Sequence, residues 1–213
     1  MAKDDNAAFW DIRSQIFDGK VIKVYEDAYT QTIEKTKKYL KNTDRALDIG
    51  CGTGVTTIPL SSCVEHMTAI DTSSGMMEQA VDKAEQNHIT NIEFYRGDIF
   101  TEELKPGEFD VVMAFNVLLY MPDQVAAMQR IYELLKPGGY FIAASDCLKH
   151  SFTREAIKKW VKSRTGQMPH VEFYTPESLD RQVERYGFTI LERKNLFEHP
   201  INYFFAAQKK ENG

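Results

Sequence analysis

Gly50, Gly52 and Gly54 fall within five positions of the stretch LDIGCGTG (residues 47–54), after a run of chain with almost no glycine. One glycine suffices for a tight turn. Three of them expose a length of bare main chain that a ligand can approach closely. Asp48, two residues ahead of Gly50, adds a carboxylate beside that loop. The GxGxG spacing excludes two common uses of such loops. No lysine follows Gly54, as a Walker-type phosphate loop requires, and Val55 stands where the dinucleotide fingerprint GxGxxG needs glycine. Groups able to move a proton are scattered over the C-terminal half: Asp146, His150, His170 and His199, all near expected strand ends or loops. A lone loop histidine is more often structural or solvated than catalytic, so no general base is assigned. Cys51, Cys63 and Cys147 are an odd number without CxxC spacing. They offer neither a disulfide framework nor a zinc site, and they suit a reducing cytoplasm.

The apolar period then indicates which elements position these groups. Residues 24–41 read as a helix and RALDIG as a short buried strand stopped by glycine. Residues 53–62 read as a helix shortened or kinked by Pro59, HMTAID as a second strand, and SSGMMEQAVDKAEQNH as a helix capped by Ser73 or Ser74. IEFYRGD is a third strand, FDVVMAF a fourth, PDQVAAMQRIYELL a helix, and YFIAAS a fifth strand after the glycine stop of KPGG. TPESLDRQVERYGF is a helix with Thr175 as cap and Gly187 as stop, and TILERK and NYFFAAQK close the chain as an antiparallel pair. The expected fold is α/β: a doubly wound, Rossmann-like, mostly parallel seven-stranded sheet with an antiparallel C-terminal strand. In such sheets ligands bind beyond the carboxyl ends of the strands, which is where LDIGCGTG lies.

With 213 residues, 43% of them hydrophobic and 27% charged, the chain suits one globular domain over residues 1–213. No repeat or linker divides it. A net charge of −5 gives no general attraction to phosphate backbones, so nucleic acid is not an expected partner. The acidic start MAKDDNAAFW lacks the apolar region of a signal peptide, and the longest apolar stretch, VVMAFNVLLYM, is too short to span a bilayer.

Asp48-Ile49-Gly50-Cys51-Gly52-Thr53-Gly54 resembles the first motif of class I S-adenosylmethionine-dependent methyltransferases. The resemblance continues in order along the chain. HMTAID ends in Asp71, 17 residues past Gly54, and RGDIF, FDVVMAFNVLLYM and LLKPGGYF follow at fitting intervals. It implies S-adenosylmethionine as cofactor, in a site comprising Asp48, Gly50, Cys51, Gly52, Asp71, Thr72, Met76, Asp98, Ile99, Asn116 and Val117. In that reading Asp71 accepts from both ribose hydroxyls. Asp98 accepts from the adenine amino group, the Ile99 N–H donates to the ring, and Met76 lies on the adenine face. Asn116 bonds the methionine moiety, while Asp48 fixes the glycine loop and attracts the ammonium group. Plainer readings compete. Asp71 could be a solvated strand end, Asp98 a cap for the next turn, Met76 or Met77 core, and Asn116 a loop tie. The Cys51 side chain is expected to pack away from the ligand.

The acceptor is less legible. The fourth strand lacks the (D/N)PP(Y/F) motif of amino methyltransferases acting on DNA and some proteins. That departure and the acidic charge favour a small-molecule acceptor over RNA or protein. A non-catalytic S-adenosylmethionine-binding regulator is the alternative from another class, and oligomeric state stays open. The N-terminal segment 1–28, with Phe9, Trp10, Phe17 and Tyr25, and the 146–175 insertion are expected to cover the crevice together with Tyr29 and to shape the acceptor site. Tyr120 is expected to line it. Within the insertion, REAIKKWVKSR (154–164) reads as a solvated helix face with Trp160 packed inward, the sharper alternative being a basic lid for an anionic or nucleic-acid acceptor.

Overall fold

The computed structural model describes residues 2–149 and 153–210. Seven strands form one sheet: β1 (Arg45–Ile49), β2 (His66–Asp71), β3 (Ile92–Arg96), β4 (Phe109–Phe115), β5 (Leu135–Cys147), β6 (Phe188–Glu198) and β7 (Ile201–Lys209). Their order is β3-β2-β1-β4-β5-β7-β6, with β7 antiparallel to both of its neighbours and the other pairings parallel. This is the doubly wound, Rossmann-like arrangement expected from the sequence.

Side chains alternate between two apolar layers, as the strand pleat requires. Leu47, Ile49, Val112, Ala114, Phe141 and Phe205 face one layer, and Ala46, Met67, Val111, Met113, Ile142 and Phe204 the other. The first layer is covered by α5 (Gln124–Leu134) through Ile131 and Leu134, and by α7 (Pro176–Arg185) through Leu179 and Val183. The second is covered by α2 (Glu26–Lys37) and α3 (Thr57–Ser61). Burial on both faces explains why β4 reads as a near-continuous apolar run. The strand order reverses between the parallel neighbours β1 and β4, since β1 is followed outward to β2 and β4 outward to β5 on the other side. Connections leaving in opposite directions open a crevice at their carboxyl ends.

Four boundaries depart from the periodicity. The helix expected over 24–41 is a 3-10 turn at Ile22–Val24 followed by α2. The helix expected over 53–62 shrinks to α3, because Gly54 (φ +79°) prolongs the loop and Pro59 is tolerated only within a first turn. β5 begins directly at Leu135, so KPGG lies inside the strand, where the register slips between Phe109 and Val111 on the neighbouring strand. β6 runs to Glu198, leaving only His199 and Pro200 between β6 and β7 instead of the stretch 195–201 that separates TILERK from NYFFAAQK. Two register irregularities in β6 break the alternation that a strand reading depends on. The N-terminal segment, read only as a cap, is the helix α1 (Ala2–Lys20). No helix of the described residues is long and apolar enough to cross a membrane.

Phe141 is fully buried and meets Phe188 and Phe205 at centroid distances of 5.5 and 5.2 Å. Replacing it with alanine removes the ring at the junction of β5, β6 and β7. Phe141→Ala is expected to lower the unfolding free energy by about 3–5 kcal/mol, read as a lower urea midpoint.

Candidate active site

The crevice holds a cavity of about 290 Å³. The glycine loop after β1 forms its floor. Gly50 and Gly52 take φ values of +68° and +56°, closed to most residues. Gly50 is further constrained, because a Cβ there would lie 2.5 Å from Cγ2 of Val117. Two main-chain donors, Gly50 N–H and Cys51 N–H, converge on the Ile70 carbonyl at 2.8 and 3.0 Å, stitching the loop to β2.

Asp71, at the end of β2, completes that stitching. Its Oδ2 accepts from Gly52 N–H at 3.0 Å and its Oδ1 from Ser73 N–H at 2.8 Å. One carboxylate thereby joins the glycine loop to the start of α4 (Ser74–Gln86), whose N-cap is Ser73. Burial pushes the Asp71 carboxyl up from its ordinary value, and these backbone donors oppose it. Gly50, Cys51, Gly52, Asp71, Thr72, Met76, Asp98, Ile99, Asn116 and Val117 all line this cavity. Two of the plainer readings hold alongside the lining position: Asp98 Oδ1 accepts from Phe100 N–H at 2.9 Å, and Met76 is also buried. The Cys51 thiol turns away toward Met77, with sulfurs 3.6 Å apart, and burial pushes its pKa well up.

Asp48 departs from expectation, for it does not line the cavity. It lies 1% exposed behind the loop, where Thr57 Oγ1 donates to its Oδ2 at 2.6 Å. Its Oδ1 has no hydrogen-bond partner among the described residues. Burial pushes its carboxyl up to about 7, with the Asp71 charge adding to the effect.

The crevice is roofed by α1. Asp11 Oδ1 accepts from Gly75 N–H at 2.9 Å and Ser73 Oγ at 2.6 Å, so a residue of α1 caps the N-terminus of α4. Farther along, Asp18 accepts from Thr53 Oγ1 at 2.6 Å and pairs with Lys83. Next to these anchors in the chain, Trp10 and Phe17 hang over the cavity, Trp10 packing edge-on to Tyr120 at 5.1 Å. Asn6, also on α1, lines the same space with a buried Oδ1 that has no hydrogen-bond partner among the described residues. Nothing in the local pattern singles out Asn6, Asp11 or Asp18, because each acts on an element more than thirty residues away.

A second cavity of about 310 Å³ shares Trp10, Phe17, Tyr29, Asn116 and Tyr120 with the first. A polar chain crosses it. Lys159 Nζ donates to Asp146 Oδ2 at 2.6 Å, and Asn202 Nδ2 donates to Asp146 Oδ1 at 2.9 Å and to Asn116 Oδ1 at 2.7 Å. The Asn116 side chain lies beside Tyr29, and both line the cavity. Burial keeps the Tyr29 phenol protonated well above its usual range. Burial alone would lower the Lys159 pKa, but the adjacent Asp146 charge outweighs it and raises it. Asn202, a buried polar residue in the apolar run NYFFAA, was the legible but missed member of this chain.

Of the base candidates among the described residues, only Asp146 reaches either cavity. His170 and His199 are exposed, and His150 lies outside the described residues. The basic stretch is α6 (Arg154–Arg164), and its orientation corrects the expectation of an inward Trp160. Trp160 is 51% exposed, whereas Lys158, Lys159 and Lys162 line the second cavity.

A methyltransferase-domain family model matches residues 40–198. The chain belongs to that family. It is a class I methyltransferase with S-adenosylmethionine as methyl donor. Among its relatives, a ubiquinone biosynthesis O-methyltransferase of Rhodopseudomonas palustris is 28% identical over 191 residues, 84% of this chain and 73% of that one. The methyltransferase shares its fold with an S-adenosylmethionine-dependent methyltransferase from Methanosarcina mazei (TM-score 0.67, 20% identity, 84% and 98% of the two chains). It also shares it with a phosphoethanolamine N-methyltransferase from Haemonchus contortus solved with phosphomonomethylethanolamine and S-adenosylhomocysteine (TM-score 0.70, 20% identity, 85% and 53%).

Two outcomes follow from this geometry. The folded value of Asp48, about 7, lies above its unfolded value of 3.8, so the folded chain holds the proton more tightly between them. Stability from this group is therefore lost as pH rises through that window, by up to about 1.4 kcal/mol per unit. Asp48→Asn is expected to gain stability relative to the parent between about pH 5 and pH 8, measured by urea denaturation at each pH. Asp11 behaves oppositely. Burial acts to raise its pKa, but hydrogen bonds from Ser73, Gly75 and Ser74 outweigh it and hold the carboxyl below its usual range. The α1–α4 contact is thus fully present above the unfolded pKa and is lost as pH falls through the lowered one. Asp11→Ala is expected to weaken docking of α1 by about 1 kcal/mol, seen as faster hydrogen exchange across Ala2–Lys20 with little change in β1 and β4.

Proposed function

We propose that this methyltransferase transfers the methyl group to a small-molecule acceptor by direct in-line displacement, with the donor in the first cavity and the acceptor in the second. One observation carries the reading: the two cavities meet at Asn116 and Tyr120 under the Trp10 roof. A non-catalytic cofactor-binding regulator needs no second, adjoining cavity. An RNA or protein acceptor needs an open face, and here α1 covers the crevice.

The residues of the first cavity fit the donor. When bound, S-adenosylmethionine supplies an electrophilic methyl group on a positively charged sulfur. Asp71 has acceptor capacity left beyond its two backbone donors and is assigned to the ribose hydroxyls. Gly50, Cys51 and Gly52 contribute main chain, Thr72 and Met76 line the ribose and adenine side, and Asp98 and Ile99 bond the adenine edge. Asn116 and Val117 close the methionine end. Asp48 acts from behind the loop, its orphaned oxygen being an uncompensated acceptor that a bridging water can connect to the ligand's ammonium group.

In the second cavity the chain's own contribution is placement and exclusion of water. Tyr29, whose phenol burial keeps protonated, has a proton to donate toward an acceptor oxygen or nitrogen. Asp146 is the one carboxylate among the residues lining this cavity, and we assign it to receive the acceptor's proton. Cap segment 1–28 and insertion 146–175 belong to one domain with the sheet and act as walls of the acceptor site. The free thiols of Cys51, Cys63 and Cys147 support a cytoplasmic setting.

Calorimetry with S-adenosylmethionine and S-adenosylhomocysteine tests the donor site. Asp71→Ala is expected to weaken both by about 1–3 kcal/mol through loss of charge-assisted bonds. Unchanged affinity would refute the ribose assignment. Labelled methyl incorporation from a small-metabolite extract, absent with RNA or protein fractions, tests the acceptor class.

A further inference from the structure

The α6 helix turns its larger apolar side chains outward and lysines toward the second cavity. Lys158 and Lys162 lie one helical turn apart on the same side, with Lys159 beside them, and all three line the second cavity. Of its apolar residues Ala156 is buried, whereas the larger Ile157, Trp160 and Val161 are 52%, 51% and 44% exposed. A helix packed for stability alone turns its apolar stripe inward. This one presents ammonium groups to a partly enclosed space, where like charges repel unless an anion joins them.

Asp146 matches only Lys159. Arg13, from α1, lines the same cavity with its guanidinium 4.3 Å from the Phe9 ring centre. Among the described residues, none of Arg13, Lys158 and Lys162 has a carboxylate within ion-pair distance. Facing these cations are the apolar surfaces of Trp10, Phe17, Tyr25 and Met168. The cavity therefore offers an apolar slot with an excess of three positive charges, in a chain whose net charge is −5.

We propose that the acceptor is itself an acid: a flat apolar body bearing one carboxylate or phosphate group, which Arg13, Lys158 and Lys162 bind. Its methylated atom points toward Asn116 and Tyr120, where the two cavities meet. This inference rests on the small-molecule reading above and narrows it to a substrate class. A polyanion such as RNA matches the cations but not the size of the slot, and the acidic chain repels it.

Trp10 lines both cavities and reports their occupancy, and Trp160→Phe silences the other tryptophan. In that background, saturated with S-adenosylhomocysteine, Trp10 emission is followed on titration with 3-phenylpropionate, its neutral amide, phenyl phosphate and a 12-nucleotide oligouridylate. The acid and the phosphate are expected to bind at least about tenfold more tightly than the amide. Lys158→Gln with Lys162→Gln is expected to cost the acid about tenfold or more while leaving the amide within about twofold. Calorimetric affinity for S-adenosylhomocysteine in the same variant is expected to stay unchanged.

Equal binding of acid and amide, acid binding indifferent to the lysine changes, or no acid binding below about 10 mM overturns the anion-binding assignment. Oligouridylate binding more tightly than phenyl phosphate overturns it in favour of a nucleic-acid acceptor. Failure of the parent protein to bind S-adenosylhomocysteine would instead overturn the donor-site assignment, so the two failures are told apart.

Discussion

The Asp71 carboxylate is the joint on which the donor crevice depends. It is fixed at the end of β2 by the sheet, and each of its oxygens holds a backbone N–H from a different segment, Gly52 in the loop and Ser73 at the cap of α4. Without it, the loop after β1 would keep its two main-chain bonds to Ile70 but lose the bridge from Gly52 to the cap of α4. A buried carboxylate is costly unless donors surround it, and the same donors that stabilise it draw loop and helix together. Position and charge are therefore set by one group, and the crevice inherits both.

Two more carboxylates extend this logic outward. Asp11 reaches from α1 to the same helix N-terminus, so the cap of α4 is shared between Ser73 and the roof. Asp18 ties the far end of α1 to Thr53 in the glycine loop. The roof is anchored to the elements that define the donor site, which couples the covering of the crevice to its geometry. Asp48 is the opposite case, a carboxylate held behind the loop with one oxygen unmatched and its proton affinity raised. It stores an electrostatic demand that a nearby cation relieves.

The acceptor side is organised by a different constraint. Asn202, Asn116, Asp146 and Lys159 come from β7, the end of β4, the end of β5 and α6, and meet in one hydrogen-bonded chain. Because β7 is inserted between β5 and β6, Asn202 pairs in register with Asp146. Antiparallel insertion of β7 thus places a buried amide where it can bridge the junction of the cavities. The Asp146 charge is matched by Lys159, which leaves Arg13, Lys158 and Lys162 as the cations with capacity for an anionic ligand.

Much of this was already written in local pattern. GxGxG, Asp71 and Asp98 are readable because their chemistry is carried by residue type at fixed distance from a strand end, and strands announce themselves by short apolar runs. The mostly parallel, doubly wound sheet follows from the alternation of strands and helices. Three things were decided only by the tertiary structure. Asp48 faces away from the crevice because Thr57, nine residues on, captures it. Register irregularities in β6 hide a long strand from any period-two reading. Above all, α6 has the composition of an ordinary solvated helix, and which of its faces meets the cavity depends on contacts with Asp146 and α1. Local periodicity states that a helix has two faces; only packing decides which one turns inward.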